Sequence, residues 1–136
     1  MTHLTTVAVV GAGAMGRGIA QASALAGYHV TLNDIAQDLL DGAREMICTS
    51  IDEGVRRGKT GAAAAATAKD ALTLTTSLEE AAQAGLVIEA APENLDLKRS
   101  IFRRLDAAAP PETVFASNTS SLSINALTGA TQRPRS

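Results

Sequence analysis

The sequence predicts an α/β protein built on a parallel sheet with helices on both faces. Three observations predict it. Short apolar runs alternate with stretches of helical periodicity, the first run ends in a glycine-rich turn, and an acidic residue closes the second. Parallel neighbours joined through helices imply right-handed crossovers.

Val7-Ala8-Val9-Val10 is a continuous apolar run ending at Gly11, as suits a parallel strand buried on both faces. Met15, Ile19, Ala22 and Ala26 then recur at helical spacing, and Gly27 supplies the C-terminal cap. His29 to Asn33 reads as the second strand. From Ile35 to Arg57 the spacing predicts a longer helix, with Leu39, Ala43, Ile47, Ile51 and Val55 on one stripe, supported by Leu40 and Met46. Gly58 and Gly61 bracket a turn. The alanine-rich stretch 62–71 has high helix propensity and reads as the second arm of a helical hairpin. Leu72 to Thr75, Leu86 to Glu89 and Val114 to Ala116 are the expected third, fourth and fifth strands. Leu97, Ile101, Leu105 and Ala108 mark the helix between the last two, and Pro110-Pro111 stops it. Ser121 to Leu127 reads as one or two short helical turns. There is no internal repeat and no boundary between two globular units, so residues 1–136 are expected to form one domain.

Composition narrows the function. Hydrophobic residues make up 46% of the chain, yet the only aromatics are Tyr28, Phe102 and Phe115. The core must therefore come from close helix–sheet packing, much of it alanine. A formal net charge of −2 gives no electrostatic case for a nucleic acid or an anionic membrane, so any anion has to be held by a local device. No metal is called for. The single cysteine, Cys48, rules out an internal disulfide, and nothing near it in sequence would activate its thiol. Without a signal peptide or an apolar run long enough to cross a bilayer, a cytoplasmic location is expected.

The turn Gly11-Ala12-Gly13-Ala14-Met15-Gly16 follows a buried strand and opens an amphipathic helix. Gly11 allows the tight turn, Gly13 lets backbone approach a pyrophosphate, and Gly16 lets helix and strand pack closely. The helix N-terminus, through Ala14 and Met15, offers unpaired N–H groups and partial positive charge to that anion. Asp34 stands at the carboxyl end of the second strand, 18 positions after Gly16, where a carboxylate accepts from ribose hydroxyls and repels a 2′-phosphate. No arginine follows it closely. A Rossmann-type domain that prefers NAD to NADP is the expectation, although Asp34 also suits the cap of the next helix.

The segments Val87-Ile88-Glu89-Ala90-Ala91-Pro92-Glu93-Asn94 and Ala116-Ser117-Asn118-Thr119-Ser120-Ser121-Leu122 are more diagnostic. Together with the glycine turn they resemble the NAD-binding domain of the 3-hydroxyacyl-CoA dehydrogenases, the 3-hydroxybutyryl-CoA branch most of all. The resemblance covers Thr6 to Pro134. It implies oxidation of the 3-hydroxyl of an acyl-CoA thioester, with hydride passed to NAD. It assigns Glu93 and Lys98 to the nicotinamide half of the cofactor, and the two are expected to share a polar edge at the start of a helix. It makes Ser120 the active-site serine, with Asn118 a second polar group in the same loop and a cofactor contact. It places Ser50 and Arg57, two turns apart on the long helix, against the CoA portion, with Arg56 and Lys59 close enough to substitute for Arg57. Ser121 and Ser123 read as turn and cap residues.

The resemblance also implies a catalytic histidine and a glutamate that orients it, on a strand beyond Arg133-Pro134. The histidines of this chain are His3 and His29, and His29 opens the second strand, at the end of the sheet facing away from a ligand crevice. The expected reading is a truncated dehydrogenase that keeps its cofactor domain, lacks the helical C-terminal domain through which the intact family member forms a homodimer, and leaves the fifth strand as a sheet edge. Two alternatives stay open: a stand-alone NAD-binding module without catalysis, and a related dehydrogenase of free hydroxy or sugar acids.

Overall fold

A computed structural model describes residues 5–91 and 94–117. The chain runs β1 (Thr6–Val10), α1 (Ala14–Leu25), β2 (His29–Asn33), α2 (Gln37–Arg56), α3 (Ala62–Asp70), β3 (Leu72–Thr75), α4 (Leu78–Ala81), β4 (Leu86–Glu89), α5 (Leu95–Ala108) and β5 (Val114–Ser117). The strands form one parallel sheet in the order β3-β2-β1-β4-β5. This is the Rossmann-type arrangement the sequence predicts. Chain order reverses between β1 and β4, and ligands of open α/β sheets bind outside the carboxyl ends of the strands at such a reversal.

Alternation along β1 divides the core. Val7 and Val9 face α1, α2 and α3, where they join Val30, Leu32, Leu40, Ile47 and Ile51. Ala8 and Val10 face α4 and α5, with Leu78, Val87, Phe102, Leu105 and Phe115. Buried Ala20, Ala24, Ala43, Ala65 and Ala68 let the helices of the first face lie close to the sheet and to one another.

The long helix corrects the expected stripe. Its buried residues are Leu40, Ala43, Ile47 and Ile51, whereas Leu39 is 43% and Met46 55% exposed. A row at strict intervals of four turns by about 40° per step around a helix of 3.6 residues per turn. The 40-43-47-51 row mixes threes and fours and stays on one face. The same correction applies to α5, where Leu97 is 42% exposed and the buried residues are Lys98, Phe102 and Leu105.

The helix ends also have identifiable causes. Gly27 follows α1 with φ of +101°, a left-handed conformation that glycine takes without strain. The long helix starts at Gln37 rather than Ile35, because Asp34 Oδ1 accepts from the Ala36 N–H at 3.2 Å and holds 34–36 as a turn. Asn94 caps α5 by accepting from the Leu97 N–H at 3.0 Å. The four-residue α4, capped by Ser77, is too short to show a period and is not anticipated from sequence. The α2–α3 hairpin forms as expected and is bridged by an ion pair between Lys69 and Asp52. Among the described residues no helix is long and apolar enough to cross a membrane.

Candidate functional site

The carboxyl edge of the sheet brings together the ends of β1, β2 and β4. Gly11 leaves β1 with φ of +111°, and a Cβ there would lie 2.7 Å from the Ala90 carbonyl oxygen. A Cβ on Gly16 would lie 1.7 Å from the Gly11 carbonyl oxygen. Both positions demand glycine because backbone meets backbone. Gly13 differs: among the described residues, a Cβ added to it meets nothing within 4 Å. The fold itself therefore leaves the space over Gly13 open.

Gly13 is also the N-cap of α1, and no side chain caps that helix. No acidic residue lies in its first turn. The first N–H groups of a helix need partners, and a bound anion at the positive end of the dipole supplies them. The site thus fits a pyrophosphate in both shape and charge.

Asp34 is fixed against this turn. Its Oδ2 accepts from the Ala12 N–H at 3.0 Å and its Oδ1 from the Ala36 N–H at 3.2 Å. Each carboxylate oxygen keeps further acceptor capacity, so the half-buried group can still take two hydroxyl donors. By sequence Asp34 suits both a ribose ligand and a helix cap. Its bond to Ala36 is a turn at the helix entrance, and the remaining acceptor capacity leaves the ligand role open.

Beside Asp34 opens a cleft of about 320 Å³, floored by Val10, Gly11 and Asn33 and walled by Ile35, Leu39, Ala91, Leu97, Ser100 and Ile101. Ile35 is 90% exposed at its mouth. Such apolar walls suit a flat heteroaromatic base and explain why large aliphatic side chains here face outward. Arg104 also lines the cleft and is held by Glu79 through two hydrogen bonds of 3.0 Å. The Arg104 guanidinium, with a smaller contribution from a backbone N–H, holds the Glu79 carboxyl below the usual glutamate range.

Lys98 does not lie on a solvated edge. It is 1% exposed, and its Nζ is 3.1 Å from Oε1 of Glu89, itself fully buried at the end of β4. Glu89 Oε2 accepts from the Ala91 N–H. From sequence Glu89 reads only as the last residue of a strand. The signal was an acid ending an otherwise apolar run, with a lysine on the helix that follows.

Ser50 and Arg57 are away from this cleft. Ser50, exposed on α2, accepts from Gln21 Nε2 at 2.9 Å, and Arg57, just past the end of α2, donates from Nε to Glu53 at 2.9 Å. Arg56 pairs with the same Glu53. His29 is exposed at the amino end of β2, opposite the site. The last residue of β5, Ser117, is aligned with Glu89, so β5 ends on the same edge as the cleft. Glu93, Asn118 and Ser120 lie outside the described residues, as do His3 and the expected helical turns at 121–127.

Residues 6–136 match the family model for the 3-hydroxyacyl-CoA dehydrogenase, NAD binding domain. The chain is 39% identical over 134 residues to the 3-hydroxyadipyl-CoA dehydrogenase of Escherichia coli K12, covering 98% of this chain and 28% of that protein. It is 41% identical over 128 residues to the 3-hydroxybutyryl-CoA dehydrogenase of Bradyrhizobium diazoefficiens, covering 94% of this chain and 44% of that protein. The crystal structure of (S)-3-hydroxybutyryl-CoA dehydrogenase from Ralstonia eutropha is similar with a TM-score of 0.90 at 37% identity, over 96% of this chain and 46% of that one. The chain thus spans less than half the length of these relatives.

Proposed function

Because the chain belongs to the 3-hydroxyacyl-CoA dehydrogenase family and matches its NAD-binding domain, we propose that it holds NAD(H) along the carboxyl edge of its sheet for oxidation of the 3-hydroxyl of an acyl-CoA. The observation that carries this is the Asp34–Ala12 hydrogen bond beside the uncapped start of α1. It keeps a carboxylate that could take ribose hydroxyls on the same turn as the N–H donors that could take phosphates.

In this reading Gly11, Gly13, Ala14, Met15 and Gly16 cradle the pyrophosphate. Asp34 accepts from the adenosine ribose hydroxyls and excludes a 2′-phosphate. Ile35, Leu39, Leu97 and Ile101 enclose the adenine. Glu93 and Lys98 serve the nicotinamide half, Asn118 lies beside it, and Ser120 donates to the substrate oxygen. Ser50 and Arg57 contact the CoA portion. Nicotinamide, when bound, supplies the hydride acceptor. His29, at the far end of the sheet, cannot take the hydroxyl proton. The chain spans less than half the length of its relatives, and in this reading it is the cofactor-binding part of a longer, homodimeric and cytoplasmic enzyme with fatty-acid-type thioesters as its substrates, binding NAD by itself with negligible turnover.

Calorimetry with NADH, NADPH and acetoacetyl-CoA, separately and in pairs, tests the proposal. NADH should bind more tightly than NADPH. Tighter binding of NADPH, or no binding of either, overturns it, and measurable oxidation of 3-hydroxybutyryl-CoA by this chain alone would remove the expectation of negligible turnover.

A further inference from the structure

The buried pair at the end of β4 calls for an explanation beyond stability. Two charges taken out of water cost several kcal/mol each in general, and well-packed apolar residues in their place are often as stable or more so. Glu89 is fully buried and Lys98 1% exposed, with 3.1 Å between Oε1 and Nζ. The other carboxylate oxygen accepts from the Ala91 N–H. One carboxylate thus joins three pieces of chain: the end of β4, the turn leaving it, and the first turn of α5.

That turn is part of the site. Ala90 donates its N–H to Val10 O at 2.8 Å, its carbonyl oxygen is what bars a side chain at Gly11, and Ala91 lines the cleft. With one oxygen held by Ala91, the carboxylate is fixed in rotation, and the other oxygen is a fixed partner for the Lys98 ammonium. Lysine has four rotatable bonds and no preferred place of its own, so a fixed acceptor removes that freedom before a ligand arrives.

We propose that Glu89 is a positioning residue for cofactor binding, acting through Lys98 at the carboxyl end of β4. The inference rests on the reading of Lys98 as a contact of the nicotinamide half, and deepens it.

The test is a double-mutant cycle read by NADH fluorescence titration, with AMP, which lacks the nicotinamide half, titrated alongside. Glu89→Gln and Lys98→Met are each expected to weaken NADH roughly 10-fold or more, since a charged hydrogen-bond partner is lost. The double variant, which keeps an amide oxygen for Ala91 N–H and removes both members of the pair, should be no weaker for NADH than either single variant, while AMP binds as in the parent. A purely structural role would lower the melting temperature and leave both affinities unchanged below the transition. Additive losses, or a Glu89→Gln chain that binds NADH as the parent does, overturn the inference. Should either single variant fail to fold, Glu89→Asp, which keeps Lys98 and the charge but shortens the reach between them, decides alone: weakened NADH with unchanged AMP supports the inference, and unchanged NADH overturns it. If the parent chain binds neither NADH nor AMP, the cofactor reading itself has failed and this inference goes with it.

Discussion

The Asp34 carboxylate and the Ala12 peptide N–H, 22 positions apart in the chain, are joined by a 3.0 Å hydrogen bond. The residue that would hold the ribose is thereby locked to the turn that would hold the phosphates. Asp34→Ala removes both the acceptor and the lock. NADH affinity should fall by about 10- to 100-fold, on the loss of hydrogen bonds to a charged group, and the preference over NADPH should shrink. Parallel fluorescence titrations of the two nucleotides check it; an unchanged ratio would show that Asp34 does not set the preference.

The glycines should separate into two kinds. Gly16→Ala drives a Cβ to 1.7 Å from a backbone oxygen, and should destabilise the domain by at least about 3 kcal/mol. Gly13→Ala meets no atom of the described residues within 4 Å. It should keep its stability to within about 1 kcal/mol and still lose NADH affinity by about 10-fold or more, if a pyrophosphate occupies that space. Thermal melts and titrations on the two variants distinguish these outcomes.

Glu79 reports on the wall of the cleft. Its carboxyl is held below the usual range, chiefly by the Arg104 hydrogen bonds. A depressed folded-state value means that the contribution to stability is present above the ordinary glutamate pKa and is lost as pH falls through the depressed value. Arg104→Gln should move the Glu79 titration upward toward that of a free glutamate, as read by carboxyl carbon NMR. The pair is about half exposed on each side, so added salt should weaken the effect.

On the opposite sheet face from α2, the rings of Phe102 and Phe115 meet edge to face with centroids 5.8 Å apart. They are the aromatics of the core cluster on that face, whose other members are aliphatic. Phe102→Ala should cost about 3–5 kcal/mol, seen as a lower urea midpoint, and a loss under about 1 kcal/mol would mean that α5 contributes little to the core.

Much of this molecule is legible in its residues. Apolar runs broken by glycine place the strands at 29–33, 72–75 and 86–89 with the bounds later observed. The glycine turn and Asp34 point to a dinucleotide because local backbone geometry dictates those residue types at that spacing. Periodicity is a weaker guide where one position decides a face: it cannot tell Leu39 from Leu40, or Leu97 from Lys98, since adjacent helical residues differ by only 100° and the packed partner selects between them.

What the sequence by itself determined is the order of the elements, the short α4 excepted, and the class of ligand, both properties of neighbouring residues. Only the tertiary structure decided that Asp34 is tied to Ala12, that Gly13 faces open space while Gly11 and Gly16 face backbone, and that Lys98 is buried against Glu89. Each of those depends on which strands lie side by side. Placing β1 between β2 and β4 brings chain ends that are distant in sequence to one edge, and the contacts made there are set by the register of the sheet.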